Sequence, residues 1–303
     1  MRGLLALLAL PLGAVLAQPF TVKDARGQSV TVRSIERIVS LNGSTTEILF
    51  ALGVGDKVVG RDDSSYYPKE ALRLPSVGYQ FNLNAEGILS LRPTVVIGRE
   101  DIKPPQVFQQ LEAAGVTVVR VPDEPNLEGA RKKIRTIAAA VGRVERGEEL
   151  IRGMERDLLA LRSQLALERT RLKGLLIVPR GPQATFVCGE GSNFVGMMEL
   201  AGIANAAKGV KGCTPITAEA VVAAKPDLIV VPLLALKSIG GLEGLMKLPG
   251  VSQTPAGQAG RVVAMDDLYL GSFGPRTGKA ALDLFTGAYR HTGFYVAGPE
   301  EGP

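Results

Sequence analysis

The chain has 303 residues, 46% hydrophobic and 21% charged, with 36 Gly, 19 Pro, two Cys, one His, no Trp and a formal net charge of +5. Zinc sites of the finger, ribbon or three-histidine kind need three or four Cys or His ligands, so two Cys and one His leave no such set. The single His291 stands close to the C-terminus, a poor place for the base of a Ser-His-Asp or Cys-His enzyme. The length points to two domains, and the basic balance is spread too evenly for a nucleic-acid-binding stripe.

Residues 1–17, MRGLLALLALPLGAVLA, carry one positive charge at Arg2, an apolar run and small Ala17. This is the layout of a secretory signal peptide cleaved after Ala17. The run is shorter than the roughly 20 apolar residues of a spanning helix and is interrupted by Pro11 and Gly13. No Cys follows it, which speaks against a lipidated signal and for a free, exported protein. Export bears on Cys188 and Cys213. Pairing them would close a loop worth roughly 3–4 kcal/mol in the chain-entropy model, and two separate buried thiols are the alternative.

Next, FTVKDARGQSVTVR alternates apolar and polar residues about Asp24-Ala25-Arg26-Gly27, a β-hairpin pattern. A βα alternation follows: strand Arg37–Leu41, helix Thr45–Leu52 with Ser44 or Thr45 as N-cap, strand Lys57–Val59, helix Ala85–Leu91 capped by Asn84, strand Thr94–Ile97, helix Pro104–Ala114, strand Val116–Val121 and helix Leu127–Val141. Short apolar runs alternating with helices predict parallel strands covered on both faces. From Glu145 to about Arg169, Leu150, Met154, Leu158, Leu161 and Leu165 form one apolar stripe. A helix of about 25 residues is roughly 37 Å long, the length of a strut between lobes.

The alternation then resumes with strand Gly174–Val178, helices Asn193–Ala201 and Ala218–Ala224, strand Asp227–Val231, helix Leu242–Leu248, strand Arg261–Met265 and helix Thr277 to about Arg290. The second half echoes the first: Ala85-Glu86 through Arg92-Pro93 and the strand after it match Ala218-Glu219 through Lys225-Pro226 and its strand, behind caps Asn84 and Thr217. The expected fold is α/β: two Rossmann-like lobes, residues 18–142 and 170–303, joined by one long backbone helix, 143–169, with a ligand cleft between them.

There is no GxSxG elbow, P-loop, HExxH, or GxGxxG directly after a strand, which leaves an exported hydrolase or transferase as a remote alternative. Gly189-Glu190-Gly191-Ser192-Asn193 opens a helix and is either a turn or a seat for an anionic group. Glu86 and Glu219 stand at matching second helical positions, where a carboxylate suits the helix dipole and where two such groups would also present symmetric negative pegs to a two-fold partner. Asp62-Asp63-Ser64-Ser65-Tyr66-Tyr67-Pro68 falls at the carboxyl edge of the first sheet, where open α/β sheets hold ligands. Tyr67, before a proline, is biased to an extended backbone.

The segments Arg37–Ile48, Ser64-Ser65-Tyr66-Tyr67-Pro68, Val77-Gly78-Tyr79 and Phe273-Gly274-Pro275-Arg276-Thr277 resemble periplasmic substrate-binding proteins of ABC importers, in the branch that serves haem rather than cobalamin or siderophores. The resemblance implies an exported carrier, not an enzyme, that captures haem in the cleft and delivers it to a permease dimer at the inner membrane for iron uptake. Tyr67 matches the tyrosine that gives haem iron an axial oxygen. Glu86 and Glu219 match the glutamates that dock on the permease. Arg61 or Arg276 would supply a cation to the phenolate or to haem propionates, Tyr66 and Tyr79 would stack on the porphyrin, and Tyr269, or an unpaired Cys188 or Cys213, would be a further ligand. A corrinoid or ferric siderophore is the alternative cargo.

Overall fold

A computed structural model describes residues 19–180 and 185–298; the expected signal peptide lies outside the described residues. The chain opens with Phe20–Lys23 and Ser29–Val32 paired antiparallel. At their turn, the Asp24 carboxylate accepts from the Arg26 and Gln28 backbone N–H groups at 2.9 and 3.0 Å, the local chemistry that makes Asp a turn residue.

The first lobe is a four-stranded sheet in the order Val58–Arg61, Ile38–Leu41, Val95–Arg99, Thr117–Val121, with every pairing parallel. Successive residues of a strand face opposite sides, and both sides are apolar here. Ile38, Val95 and Ile97 pack with Ile48, Leu49, Ile134 and Ile137, while Val39, Leu41 and Val96 pack with Ile88, Phe108 and Leu111 on the other face. The helix after strand Ile38–Leu41 runs Gly43–Ala51 and is capped by Asn42, whose side chain accepts from Ser44 N–H. Neither Ser44 nor Thr45 is the cap, because the helix begins two residues earlier than the apolar pattern suggests.

The second lobe repeats the plan. Strands Lys173–Pro179, Leu228–Pro232, Val262–Met265 and Phe294–Ala297 are parallel neighbours. Leu176, Leu228, Val230 and Val263 face one core, and Leu175, Ile177, Ile229 and Val262 the other. Its sheet reaches seven strands because Thr185–Cys188 and Cys213–Pro215 add antiparallel to one side and Ala204–Asn205 pairs with Lys173-Gly174.

Helix Val144–Leu167 ties the lobes together. Ile151 belongs to a core of the first lobe; Met154, Leu158 and Leu161 belong to a core of the second. One amphipathic stripe therefore serves two cores in succession, which fixes the lobes to a common axis. Helix Thr277–Arg290 lies against it so closely that a Cβ at Gly278 would run into the Met154 carbonyl and the Asp157 side chain.

Candidate ligand cleft

Between the lobes lies a cavity of about 620 Å³, within the range of small-molecule sites. Its first-lobe wall holds Asn42, Ser64, Tyr66, Tyr79, Phe81 and Arg99, and its second-lobe wall Asn193, Phe194, Cys213, Leu234, Asp267 and Leu268. Tyr79 and Phe81 are exposed and meet edge to face at 5.4 Å, giving the mouth an aromatic rim.

Polar side chains clasp the lobes across this space. The Tyr66 hydroxyl donates to the Asp266 carboxylate at 3.2 Å and accepts from Leu268 N–H at 2.7 Å. Burial, then Asp266, pushes the Tyr66 phenol up, so it serves as a neutral donor. Below it, Lys133 is buried, bonded to Asp123 and donating to the Ser272 carbonyl at 2.7 Å. Asp123 also accepts from Arg99 at 2.7 Å and from Asn193 at 3.1 Å. Burial pushes the Lys133 ammonium down, and Asp123 acts against that.

Tyr67 is half-buried beside Tyr66 but is not part of this cavity's wall. The Arg276 guanidinium lies over its ring, 3.5 Å from the centroid, a distance at which the cation meets the negative face of the ring. Arg276 is held there by a two-pronged pair with Glu47, Nε to Oε1 at 2.8 Å and Nη2 to Oε2 at 2.9 Å. Glu47 is 3% exposed in helix Gly43–Ala51.

Other residues singled out in the sequence fall elsewhere. Arg61 turns away, with Nε on the Ala71 carbonyl and Nη1 on the Asp62 carbonyl. Tyr269 is a core residue, 1% exposed, its hydroxyl donating to Asp283 at 2.8 Å; burial pushes its phenol up, against any role as an oxygen ligand. Cys188 and Cys213 face each other on neighbouring strands, not loops, and are joined by a disulfide, which removes them as thiolate ligands. Glu86 and Glu219 are exposed at the starts of helices Ala85–Ser90 and Ala218–Ala224, behind Asn84 and Thr217 side-chain caps. Ser192-Asn193 reaches the cavity, with the Asn193 amide donating to Asp123 and to the Gly271 carbonyl. His291 is exposed and stacks on Tyr295.

Sequence reasoning passed over Glu47, Asp123 and Lys133. A signal existed for Glu47: it is the one charge in GSTTEILFA, and a carboxylate buried among apolar neighbours requires a partner.

A family model described as periplasmic binding protein matches residues 38–269. The chain belongs to the periplasmic binding protein family. The ABC transporter substrate-binding lipoprotein YvrC of Bacillus subtilis is 30% identical over 90% of this chain and 87% of its own length. The structure of the periplasmic haem-binding protein RhuT from Roseiflexus sp. RS-1, in apo form, superposes with a TM-score of 0.81 at 44% identity over 84% of this chain and 98% of that one. The periplasmic haem-binding protein BhuT, in complex with two haems, does so with 0.79 at 35% identity over 83% and 97%. A vitamin B12-binding protein of Vibrio cholerae is 32% identical but over only 43% of this chain and 47% of its own. Family and neighbours are substrate-binding transport proteins. Among the described residues, no helix is long and apolar enough to cross a membrane.

Proposed function

We propose that this protein captures haem between its lobes in the periplasm and hands it to the permease of an ABC importer, with no chemistry done on the cargo. The observation that carries the reading is Arg276 over the Tyr67 ring, in a chain that is 44% and 35% identical to proteins described as haem-binding. Ferric haem iron is a hard acceptor, and a phenolate oxygen suits it. Tyr67 is therefore assigned as the axial ligand and Arg276 as its counter-charge, with Tyr66, Tyr79 and Phe81 facing the porphyrin. In this role Arg276 replaces Arg61, whose guanidinium is spent on backbone carbonyls. Glu86 and Glu219, exposed on matching helices, are the docking pegs for the permease dimer. The mature protein begins after Ala17.

Competition tests the cargo. Hemin should bind with a Soret band that excess cobalamin does not diminish; displacement of hemin by cobalamin would favour the corrinoid reading that the partial match to vitamin B12-binding proteins offers.

A further inference from the structure

The disulfide has one sulfur inside the second lobe and the other at the cavity wall. Cys188 is fully buried in a core of that lobe, whereas Cys213 is exposed and lines the cavity. The Cys213 Sγ lies 3.8 Å from the hydroxyl oxygen of Ser192, another residue of the wall. The bond joins positions 25 apart in sequence, and the segment between them meets the ligand space at both ends: Ser192, Asn193 and Phe194 on the way in, Gly212 on the way out. The return strand is a weak element by itself. Cys213–Pro215 has three residues, all exposed, and is the end strand of its sheet, and Pro215 has no N–H to give to a ladder. The pairing is continued by Gly189 N–H to the Gly212 carbonyl at 2.7 Å and Gly212 N–H to the Glu190 carbonyl at 2.8 Å. The covalent bond is therefore what ties both ends of this wall segment to the buried sheet.

We propose that Cys213 is a thiol-exchange site opening on the cavity, at which the cargo and a dithiol reductant compete. A porphyrin seated between the walls covers the Cys213 sulfur and protects the disulfide. In the empty carrier a dithiol reaches that sulfur, and reduction frees both ends of the wall segment and weakens the hold on the cargo. For its cargo the inference rests on the haem reading above; for its chemistry it rests on the placement of the two sulfurs alone.

The exchange runs through the sulfur that can be reached. A thiolate of the dithiol attacks Cys213 Sγ, the bond to Cys188 breaks, and Cys188 leaves with the electron pair and takes a proton. The second thiolate of the dithiol then attacks the reductant's own sulfur in the mixed disulfide, which closes the reductant's disulfide and releases Cys213 as a thiol. Two electrons and two protons pass from the dithiol to the two cysteines. Binding and reduction are linked reciprocally: the factor by which reduction weakens the cargo is the factor by which the cargo disfavours reduction. A tenfold coupling is about 30 mV for a two-electron couple.

The test is the rate at which excess dithiothreitol opens the disulfide, read by alkylation and mass, with gallium protoporphyrin as a cargo analogue whose metal the thiol does not reduce. Saturating gallium protoporphyrin should slow reduction about tenfold, since exchange depends on access to the attacked sulfur; an unchanged rate, with binding confirmed by porphyrin fluorescence, overturns the proposal. Cys188→Ser combined with Cys213→Ser should bind hemin about tenfold more weakly than the wild type, and equal affinity overturns it as well. If that double variant fails to fold, wild-type protein held reduced in dithiothreitol and titrated with gallium protoporphyrin gives the same comparison, with the same two outcomes. In porphyrin-free protein, Ser192→Phe should slow reduction several-fold by placing a ring beside Cys213 on the cavity side; an unchanged rate there means that the reductant does not arrive through the cavity, and overturns the exchange site. A wild-type protein that binds neither hemin nor gallium protoporphyrin overturns the haem reading instead, and the Ser192→Phe rate then decides the exchange site without it.

Discussion

In the first lobe the sheet is wholly parallel, and the loops at the carboxyl ends of its strands carry Tyr66, Tyr67 and Tyr79. The second lobe has the same parallel arrangement but adds antiparallel Thr185–Cys188 and Cys213–Pro215, locked by the Cys188 to Cys213 disulfide at the cavity wall. It offers the cavity Asn193, Phe194, Leu234 and Asp267 and sets Arg276 over the Tyr67 ring. On the haem reading proposed above the two lobes divide the work: the first holds the oxygen donor, while the second brings a guanidinium over its ring and adds a disulfide-linked wall. Glu86 and Glu219 mark the opposite case. There the two lobes are alike, each with a capped helix start and an exposed carboxylate, the symmetry that the two-fold partner proposed above would demand.

The symmetric feature should break most completely. Glu86→Lys with Glu219→Lys should abolish stimulation of the importer in reconstituted vesicles and leave hemin affinity at the wild-type value; lost affinity would place these residues in the cleft. The seam between the lobes comes next. Asp123→Ala leaves buried Lys133 and Arg99 without the carboxylate they share, and breaking a buried pair in this way costs about 3–5 kcal/mol, to be read as a lower denaturant midpoint. The smallest effect belongs to the second lobe alone. Burial, against the bond from Leu234 N–H and together with Asp266, pushes the Asp267 carboxyl up to about 6. The folded state then holds this proton more tightly than the unfolded one, so its contribution rises as pH falls from above 6 towards 4. Asp267→Asn should lack that rise, a difference below about 2 kcal/mol, seen by comparing thermal midpoints of the two proteins across that range.

Much of this architecture was legible because local and global signals agree. Asn84 and Thr217 are caps in the folded chain, and the stripe through Met154, Leu158 and Leu161 is buried. Short elements escaped. Thr185–Cys188 and, at the sheet edge, Cys213–Pro215 are strands of four and three residues, set off by glycines, and periodicity cannot separate them from loop. Asp267–Gly271 is a helix of five residues and leaves no periodic trace. Within the site, the tyrosine loop was readable from its place after a strand. Lys133 was not: it follows Lys132 in a helix rich in charge, and its burial among Ser44, Asp123 and, from the other lobe, the Ser272 carbonyl is seen only in the fold. Tyr269 misled for the converse reason, since a tyrosine four residues past a strand end looks like a cleft residue until Asp283 is seen to satisfy its hydroxyl inside the core.

The division of labour between the lobes stands on Tyr67, and the absorption spectrum of the hemin complex of Tyr67→Phe beside that of the wild type tests it most directly. The wild-type protein should show a Soret band with the visible charge-transfer features of tyrosinate ligation, and Tyr67→Phe should lose those features; an unchanged spectrum in the variant would contradict the assignment.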